Sequence, residues 1–520
     1  MVPAEALKGL AGVALFAAPG AGLAELLPAV RELPAARRLA HAWLLGLAWT
    51  AGALYALSHW LAVPLRPPAI LAVAAAPVLA GAVSRLRRRR PPPVAPRKRK
   101  RPQRLVEWLA LGAGVVVSLA LLCDTLDGPL TDSDGRMTWS AQARWVRSEG
   151  TVHPAALTQR GWYVSHPWYP LLMPVAQVAV LEVTRADPDH HAFRPLYGVF
   201  FPVWLLLIYG GAEALAGLAA AAWTTLAAAL LSFPAFSELG GAASAYSDLP
   251  LACFFGGGLL LLLHTRLRPS AGLAAGVLLA AAVLTKAEGE ILAPLALGLA
   301  ALYPLFPGRG RERRRRLWRQ RRRALALAAL PVALALALLL SWRAGIPESF
   351  ESFEQATSWS LLWPGIVTRL PRLAWDVRAE MVRFLDWGLF WSAAPLVLAA
   401  GWQGLRRRPA LPLLLAAAVP LSVGWLYATI SPRLDFVVLS TWNRFLLQAS
   451  VPLLVLFAMA LRDLLRRAGW LPRALGGPHH PVVRPPKTLI TPALFSRPPP
   501  RPPGEEGVVS RRRSKEAKLS

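Results

Sequence analysis

Long apolar runs separated by short polar or basic segments dominate this chain. A hydrocarbon core about 30 Å thick is crossed by roughly 20 apolar residues in a helix, and many runs approach that length. We expect helices at residues 10–30, 40–63, 67–84, 105–123, 170–184, 195–211, 216–233, 249–264, 271–284, 291–306, 325–342, 387–405, 410–428 and 443–461. The pattern predicts an all-α polytopic membrane protein, a bundle of about 12–14 transmembrane helices.

The composition agrees with this prediction. Hydrophobic residues make up 55% of the 520 residues and charged residues only 17%, whereas soluble domains of this size carry more charge. The two cysteines, Cys123 and Cys253, each lie at or within an apolar run. They are too few for a disulfide framework, so we expect them to be small core residues.

The formal net charge of +29 is concentrated at residues 85–104, 309–323 and 406–408 and in the C-terminal tail. Each of the first three clusters adjoins an apolar run, as the excess of Lys and Arg on cytoplasmic loops requires. Contact with anionic membrane lipids follows from this placement. A nucleic-acid partner is not expected, because no recognition motif accompanies the charge.

These features divide the chain into four parts. Residues 1–84 form N-terminal transmembrane helices, 85–104 a basic, proline-rich cytoplasmic linker, 105–468 the main membrane domain, and 469–520 a disordered cytoplasmic tail. The linker and the tail are rich in Pro and Arg and poor in apolar residues, a composition that does not support a packed core.

Within the main domain, residues 124–168 form a first external loop and 345–386 a second, whose Glu and Trp residues suit short interfacial helices. If each apolar run crosses the membrane once, successive loops must alternate between the two sides. This alternation fails at one place, because the run at 169–183 would start and finish outside. Either this run is re-entrant or interfacial, or one helix between residues 195 and 264 is miscounted.

Asp132 and Asp134 in the first external loop are candidates for catalysis. A carboxylate at a water–membrane boundary can act as a general base toward a hydroxyl when its surroundings tune its pKa. The alternative is a helix cap, since Asp132, Ser133 or Asp134 can cap the helix that carries Trp139 and Trp145.

The segment from Thr285 to Glu290 interrupts a region that is otherwise apolar. Ionisable residues at membrane depth are costly and are usually paired or functional. Lys286 can neutralise a phosphate, with Glu288 or Glu290 holding it in place. The alternative is an ordinary external loop whose charges are solvated.

Four further residues lie at the boundaries of apolar runs. His166 and Tyr169 each directly precede a proline, Asp248 is the last polar residue before a run, and Arg444 stands near the start of the final one. An Arg in that position can bind a phosphate through two hydrogen bonds. The alternatives are a rigid interfacial turn for the first pair and boundary anchors for Asp248 and Arg444.

Several common catalytic motifs are missing from the sequence, namely HExxH, Walker A and GxSxG. Zinc hydrolysis and soluble nucleotide chemistry are therefore set aside. Instead, a set of short motifs occurs in a fixed order: Asp134 five residues before Trp139, His166-Pro-Trp-Tyr-Pro-Leu-Leu172, Tyr246-Ser-Asp-Leu-Pro-Leu251 and Thr285-Lys-Ala-Glu-Gly289.

This order of motifs resembles the GT-C superfamily of membrane glycosyltransferases, which includes aminoarabinose transferases and protein mannosyltransferases. It is most similar to the bacterial members of the dolichyl-phosphate-mannose-protein-mannosyltransferase type, and the likeness covers roughly residues 105–461. The resemblance implies a GT-C-like bundle in the bacterial cytoplasmic membrane. It also implies transfer of a sugar from a polyprenyl-phosphate donor to a hydroxyl of a glycan, lipid or protein on the external face.

The resemblance also implies roles for particular residues. Asp134, with Asp132 beside it, would deprotonate the acceptor, while Lys286 and Arg444 would stabilise the lipid phosphate that leaves. No cofactor need supply the chemistry, although a divalent metal is compatible with it.

Two positions depart from the family pattern. Related sequences often have Lys where this chain has Gln142, and an acidic residue where it has Trp168. The departures imply either an altered specificity or a member that has lost activity.

Two other classes of function remain open. A transporter or flippase for lipid-linked saccharides would place ionisable residues opposite one another near mid-membrane. A non-catalytic membrane protein of envelope assembly would place no constraint on Asp134 and Lys286. Here the ionisable residues cluster at external boundaries, which favours the enzyme.

Overall fold

The computed structural model describes residues 4–87, 101–127, 130, 132, 134–159, 166–187, 192–263, 267–303, 311–347, 359–405, 410–430 and 441–470. Within these ranges the chain is helical and contains no β-strand. The helices that precede the second external loop are α1 Ala4–Leu26, α2 Pro28–Arg31, α3 Ala35–Leu61, α4 Pro67–Leu86, α5 Arg101–Asp127, α6 Ala141–Glu149, α7 Ala155–Thr158, α8 Leu172–Thr184, α9 Arg194–Gly198, α10 Phe200–Ala216, α11 Leu218–Ala229, α12 Phe233–Phe236, α13 Asp248–Leu262, α14 Pro269–Thr285, α15 Gly289–Leu302 and α16 Arg311–Arg343.

Six more helices follow: α17 Trp359–Met381, α18 Phe384–Trp387, α19 Phe390–Ala400, α20 Trp402–Leu405, α21 Ala410–Ile430 and α22 Asn443–Arg467. A π-helical turn at Gly135–Ser140 leads into α6, and a 3₁₀ turn at Ala242–Ser244 precedes α13. Cys123 and Cys253 are free thiols. Cys253 is buried, as expected of a small core residue, whereas Cys123 is exposed on α5, so the expectation is wrong for that residue.

The chain is a multi-pass membrane protein, which confirms the predicted all-α polytopic class. Seven helices in the described ranges are long and apolar enough to cross a membrane, and they lie in α1, α3, α4, α5, the α9–α10 segment, α16 and α22. Seven shorter apolar helices of 10–17 residues accompany them. The prediction of about 12–14 spanning helices counts long and short helices together.

Helix α8 accounts for the conflict in the side count. Its 13 residues reach only about 20 Å, which is too short to cross the hydrocarbon core. Before it starts, the carbonyl of His166 accepts a hydrogen bond from Gln142 of α6. Near its end, Glu182 forms an ion pair with Arg147, also of α6, at 2.9 Å. Both ends of α8 therefore contact the same short helix, an arrangement that agrees with the first of the two alternatives; the side of the membrane on which they lie remains a prediction.

The segment predicted as the second external loop contains the longer helix α17 together with the short helix α18. Leu373, Val377 and Glu380 of α17 are buried while Trp375 is exposed, so the helix has one buried face. The basic run of residues 309–323 enters α16, where Arg321 is buried and donates a hydrogen bond to the carbonyl of Leu262.

Several sequence-based expectations concern residues outside the described ranges. They are residues 88–100 of the linker predicted at 85–104, the basic cluster at 406–408, the acidic residues at 348–354, and the tail predicted at 469–520 from residue 471 onward. The last four residues of the predicted linker belong to α5 instead. The N-terminal helix α3 packs against α8, α10 and α14 of the main domain. The division into four parts remains a prediction.

Small residues let α14 and α16 pack closely along their length. Gly272 and Gly276 stand one turn apart on α14, opposite Ala324 and Ala328 of α16. A Cβ on Gly276 would lie 2.4 Å from the carbonyl oxygen of Ala328. Such small-xxx-small pairs are typical of helix contacts in membranes, because they allow the backbones to approach.

We predict that Gly276→Ala lowers the stability of the protein by about 1–3 kcal/mol, since the added methyl group must push the two helices apart. The matched control is Gly298→Ala on α15, where a Cβ meets no atom within 4 Å. It should leave the protein unchanged or gain up to about 1 kcal/mol from the helix preference of Ala. Thermal unfolding in detergent measures both, and equal midpoints for the two variants would contradict the packing.

Candidate functional site

Four helix ends bring charged side chains together at one end of the bundle. Asp248 is the first residue of α13, Lys286 directly follows α14, Glu288 directly precedes α15, and Arg444 is the second residue of α22. This end lies opposite the Arg-rich start of α16, so the positive-inside rule places it outside. We call these four residues, together with Asp134 and Gln448, the external cluster.

Asp248 is the centre of the external cluster. Its carboxylate is completely buried and accepts hydrogen bonds from Lys286 Nζ at 2.7 Å, Arg444 Nε at 2.9 Å and Gln448 Nε2 at 2.9 Å. A buried charge is costly unless it is paired and hydrogen-bonded, and three donors meet that need here. Asp248 is therefore not a boundary anchor exposed to water.

Lys286 is held between two acids. Its ammonium group lies 2.9 Å from Glu288 Oε1 in addition to its contact with Asp248, and its side chain is only 3% exposed. The backbone turns inward between α14 and α15, where a Cβ on Gly289 would lie 1.9 Å from the carbonyl oxygen of Ala282. The alternative of a loop with solvated charges is wrong for Lys286.

Asp134 reaches the external cluster from the first loop, 310 residues away in the chain. Arg444 Nη1 donates a hydrogen bond to Asp134 Oδ2 at 3.1 Å. Asp134 starts the π-helical turn at Gly135–Ser140, yet its side chain makes no capping hydrogen bond there, so the cap alternative fails for this residue. The side chain of Asp134 is 33% exposed, which leaves it accessible to a substrate.

Aromatic side chains cover this part of the site. The guanidinium of Arg444 lies 4.7 Å from the centre of the Tyr246 ring, a distance suited to a cation–π contact. Tyr169 stacks on Trp139 at 5.4 Å and on His166 at 4.4 Å, and it interacts electrostatically with Arg444. His166 and Tyr169 thus join the external cluster through this stack.

Asp132 lies apart from the external cluster, although only one residue separates it from Asp134. It is buried and belongs to a second polar group, in which Arg194 forms an ion pair with Asp124 at 3.1 Å. Burial raises the pKa of the Asp132 carboxyl to about 7, and the negative charge of Glu238 adds to this while Arg194 opposes it. The implied partnership of Asp132 with Asp134 in one site is not seen.

The two positions that depart from the family pattern both support the turn before α8. Gln142 donates a hydrogen bond to the carbonyl of His166 at 3.2 Å. The carbonyl of Trp168 accepts one from Arg343 Nε at 3.0 Å, while the guanidinium of Arg343 also pairs with Glu290 at 2.7 Å. Glu290 therefore holds Arg343 and not Lys286.

Two residues that bond to predicted site residues or their neighbours, Gln448 and Arg343, were not predicted from the sequence. Gln448 stands one turn after Arg444, on the same face of α22, and a lone polar residue in that apolar stretch was the available signal. Arg343 at the end of α16 gave no signal, because an Arg that ends a transmembrane run is ordinary.

The charges of the external cluster bear on the expectation that Lys286 and Arg444 together stabilise a lipid phosphate. Asp134, Asp248 and Glu288 supply three carboxylates against the two cations Lys286 and Arg444, so the cluster carries a formal charge of −1 when every group is ionised. Both cations are therefore already engaged by carboxylates, and the cluster is not a cationic pocket. In the described part of the chain, no three His, Cys, Asp or Glu side chains group as a metal site.

We predict that Lys286→Met destabilises the protein by about 3–5 kcal/mol, because it removes one partner of a buried ion pair and leaves three carboxylates to one cation. Asp248→Asn should cost less, since Lys286 then balances Glu288 and Arg444 balances Asp134. Unfolding midpoints in detergent test this order. The variant that combines Lys286→Met with Asp248→Asn should be more stable than Lys286→Met alone. Equal midpoints for these two variants would refute the charge balance.

We also predict a pH dependence at Asp132. Its pKa is raised on folding from an ordinary value of about 3.9 to about 7, so its contribution to stability is complete below about pH 4 and is lost as the pH rises toward 7. Asn mimics the neutral carboxyl and does not titrate. The unfolding temperature of Asp132→Asn relative to the wild type should therefore increase from about pH 5 to about pH 8. A difference that stays constant or decreases would contradict the burial of this carboxyl.

Comparison with known proteins gives limited information. No protein-family model matches the chain, and no curated protein matches it. An oligosaccharyltransferase from Archaeoglobus fulgidus, crystallised with zinc and sulfate, is similar at a TM-score of 0.42 and 14% identity, over 70% of this chain and 50% of that protein. The chain thus spans half the length of that structure. A similarity this low does not establish a common fold, and the function must be inferred from the side chains described above.

Proposed function

We propose that this chain is an integral membrane glycosyltransferase of the GT-C type, acting at the external face of the bacterial cytoplasmic membrane. It would transfer a sugar from a polyprenyl-phosphate donor to an acceptor hydroxyl of a glycan, lipid or protein. One observation carries the proposal: an accessible carboxylate, Asp134, bonds to Arg444, which is anchored on the buried Asp248. A base beside a fixed cation suits a displacement whose leaving group is an anion.

The position of the external cluster favours an enzyme over a transporter. A transporter would place its ionisable residues near mid-membrane, whereas Asp248, Lys286, Glu288 and Arg444 all stand at or just beyond helix ends. Because these ends meet at the external face, a lipid-borne sugar can reach them without crossing the bilayer.

The proposed step is a direct displacement at the anomeric carbon of the donor sugar. The acceptor oxygen forms a bond to that carbon, and the bond from the carbon to the phosphate oxygen breaks with its electron pair remaining on the phosphate. The acceptor proton passes to the carboxylate of Asp134. Oδ2 of Asp134 is engaged by Arg444, which fixes the carboxylate so that its other oxygen can face the acceptor.

The structure suggests a division of labour between the two cations. Arg444 contacts Asp134 directly, and its planar guanidinium carries several N–H donors suited to a phosphate. Lys286 is almost completely buried and engaged by Asp248 and Glu288, so in this proposal it positions Asp248 and does not touch the lipid phosphate. Gln448 completes that support by bonding to the same two acids.

We predict that Asp134→Asn lowers the rate of sugar transfer by about 10²–10⁴-fold, the usual loss when a general base is removed. The assay incubates purified protein in lipid vesicles with a panel of synthetic polyprenyl-phosphate sugars and a simple alcohol as the acceptor hydroxyl, and it measures the polyprenyl phosphate released. Full release by Asp134→Asn would remove this residue from the mechanism.

The matched control is Glu149→Gln, which alters another carboxylate of the first external loop. Glu149 accepts a hydrogen bond from the backbone of Ala155 and lies outside the external cluster, and Gln can still accept that bond. Its rate should stay within about twofold of the wild type. If no donor in the panel is consumed by the wild type, while the same vesicles move lipid-linked saccharide across the bilayer, the transporter replaces the enzyme.

A further inference from the structure

A second polar region lies at the other end of the bundle. Helix α13 leads from Asp248 to Leu260 and Leu261, about 18 Å along the helix axis, where these two residues line a cavity of about 210 Å³. Its other walls come from the segment that joins α1 to α3 and from the start of α14. We call it the inner cavity, since it faces the cytoplasmic side by the positive-inside rule.

The charged lining of the inner cavity is predominantly positive. Arg37 and Arg268 supply two guanidinium groups, and Glu32 supplies one carboxylate. Glu32 is paired with Arg268 at 2.6 Å, in a contact that is about half exposed on both sides. Among the described residues that line the cavity, Arg37 is the cation outside this pair.

Arg37 is built into the fold. Its aliphatic stem packs against Gly210 of α10, where a Cβ would lie 1.9 Å from Arg37 Cγ. Glu213, one turn further along α10, acts on Arg37 electrostatically. Arg37 Nε is nevertheless buried and has no hydrogen-bond acceptor among the residues that the structure describes. A buried donor without an acceptor is unfavourable, so a ligand that supplies an acceptor would stabilise this wall.

Two properties of the surroundings identify the chemistry of such a ligand. Guanidinium groups bind phosphate oxygens through directed, charge-assisted hydrogen bonds. Leu26 at the end of α1 and Leu39 near the start of α3 are exposed on the protein surface, where apolar side chains can contact acyl chains. The cavity is smaller than the roughly 300–1,000 Å³ of a site that encloses a whole small molecule, so it suits a head group whose tails remain outside.

We propose that the inner cavity binds the phosphate of an anionic phospholipid head group from the cytoplasmic leaflet. Arg37 and Arg268 would hold the phosphate oxygens, and Leu26 and Leu39 would contact the acyl chains. The bound lipid would join the segment before α3 to the start of α14, well away from the external cluster.

Native mass spectrometry of the full-length protein in detergent, titrated with phosphatidylglycerol, tests the proposal. Arg37→Gln and Arg268→Gln should each weaken lipid binding about tenfold, the loss of one charge-assisted hydrogen bond. The matched control is Arg38→Gln, an exposed Arg on the same helix that does not line the cavity; it should change binding by less than about twofold. Because Arg268 is half exposed, its variant remains informative if Arg37→Gln fails to fold.

Two comparison ligands define the site further. Phosphatidylcholine carries the same phosphate in a head group whose net charge is zero. It should bind at least about tenfold more weakly than phosphatidylglycerol. Equal binding of the two lipids, or equal effects of Arg268→Gln and Arg38→Gln, would overturn the proposal. If inorganic phosphate binds with the same dependence on Arg268 while phosphatidylglycerol does not, the site takes free phosphate and the lipid assignment is wrong.

Discussion

The buried carboxylate of Asp248 is the constraint on which the external end of the bundle depends. Without neighbouring cations its charge could not be held inside the protein, and those cations come from the ends of two other helices. The ends of α13, α14 and α22 can therefore meet only because Lys286 and Arg444 both bond to Asp248. Because Arg444 also binds Asp134, the same interaction holds the first external loop against the bundle. The structural pairing and the proposed chemistry are thus parts of one network.

Much of this arrangement was predictable from the sequence, because polar residues inside apolar runs are conspicuous. Lys286 and Asp248 each interrupt or border an apolar run, and ionisable groups in such places need partners. The helices follow the apolar runs closely for the same reason. The predicted convergence of Asp134, Lys286 and Arg444 is seen in the geometry, whereas their roles in a reaction remain a proposal.

Other features depend on which partners meet in space, and a single sequence does not specify that. The pattern indicated cations for a phosphate and named Glu288 as a possible partner of Lys286, but it did not indicate that Asp248 and Asp134 also engage these cations. It grouped Asp132 with Asp134, although Asp132 is acted on by Arg194 while Asp134 bonds to Arg444. The sequence did not indicate whether α8 crosses the membrane, because hydropathy reports the length of an apolar run and not the direction of the helix. The contacts of Glu182 and His166 bring both ends of α8 against α6, which no hydropathy pattern indicates.

The central claim is that the external cluster receives the donor phosphate beside the base. The most direct test is an experimental structure of the full-length protein in lipid nanodiscs with a non-hydrolysable polyprenyl-phosphate sugar analogue. The account predicts the phosphate within hydrogen-bond distance of Arg444 and the anomeric carbon facing the Asp134 carboxylate. An analogue bound near mid-membrane, or at the cytoplasmic end with Asp134 still facing water, would contradict it.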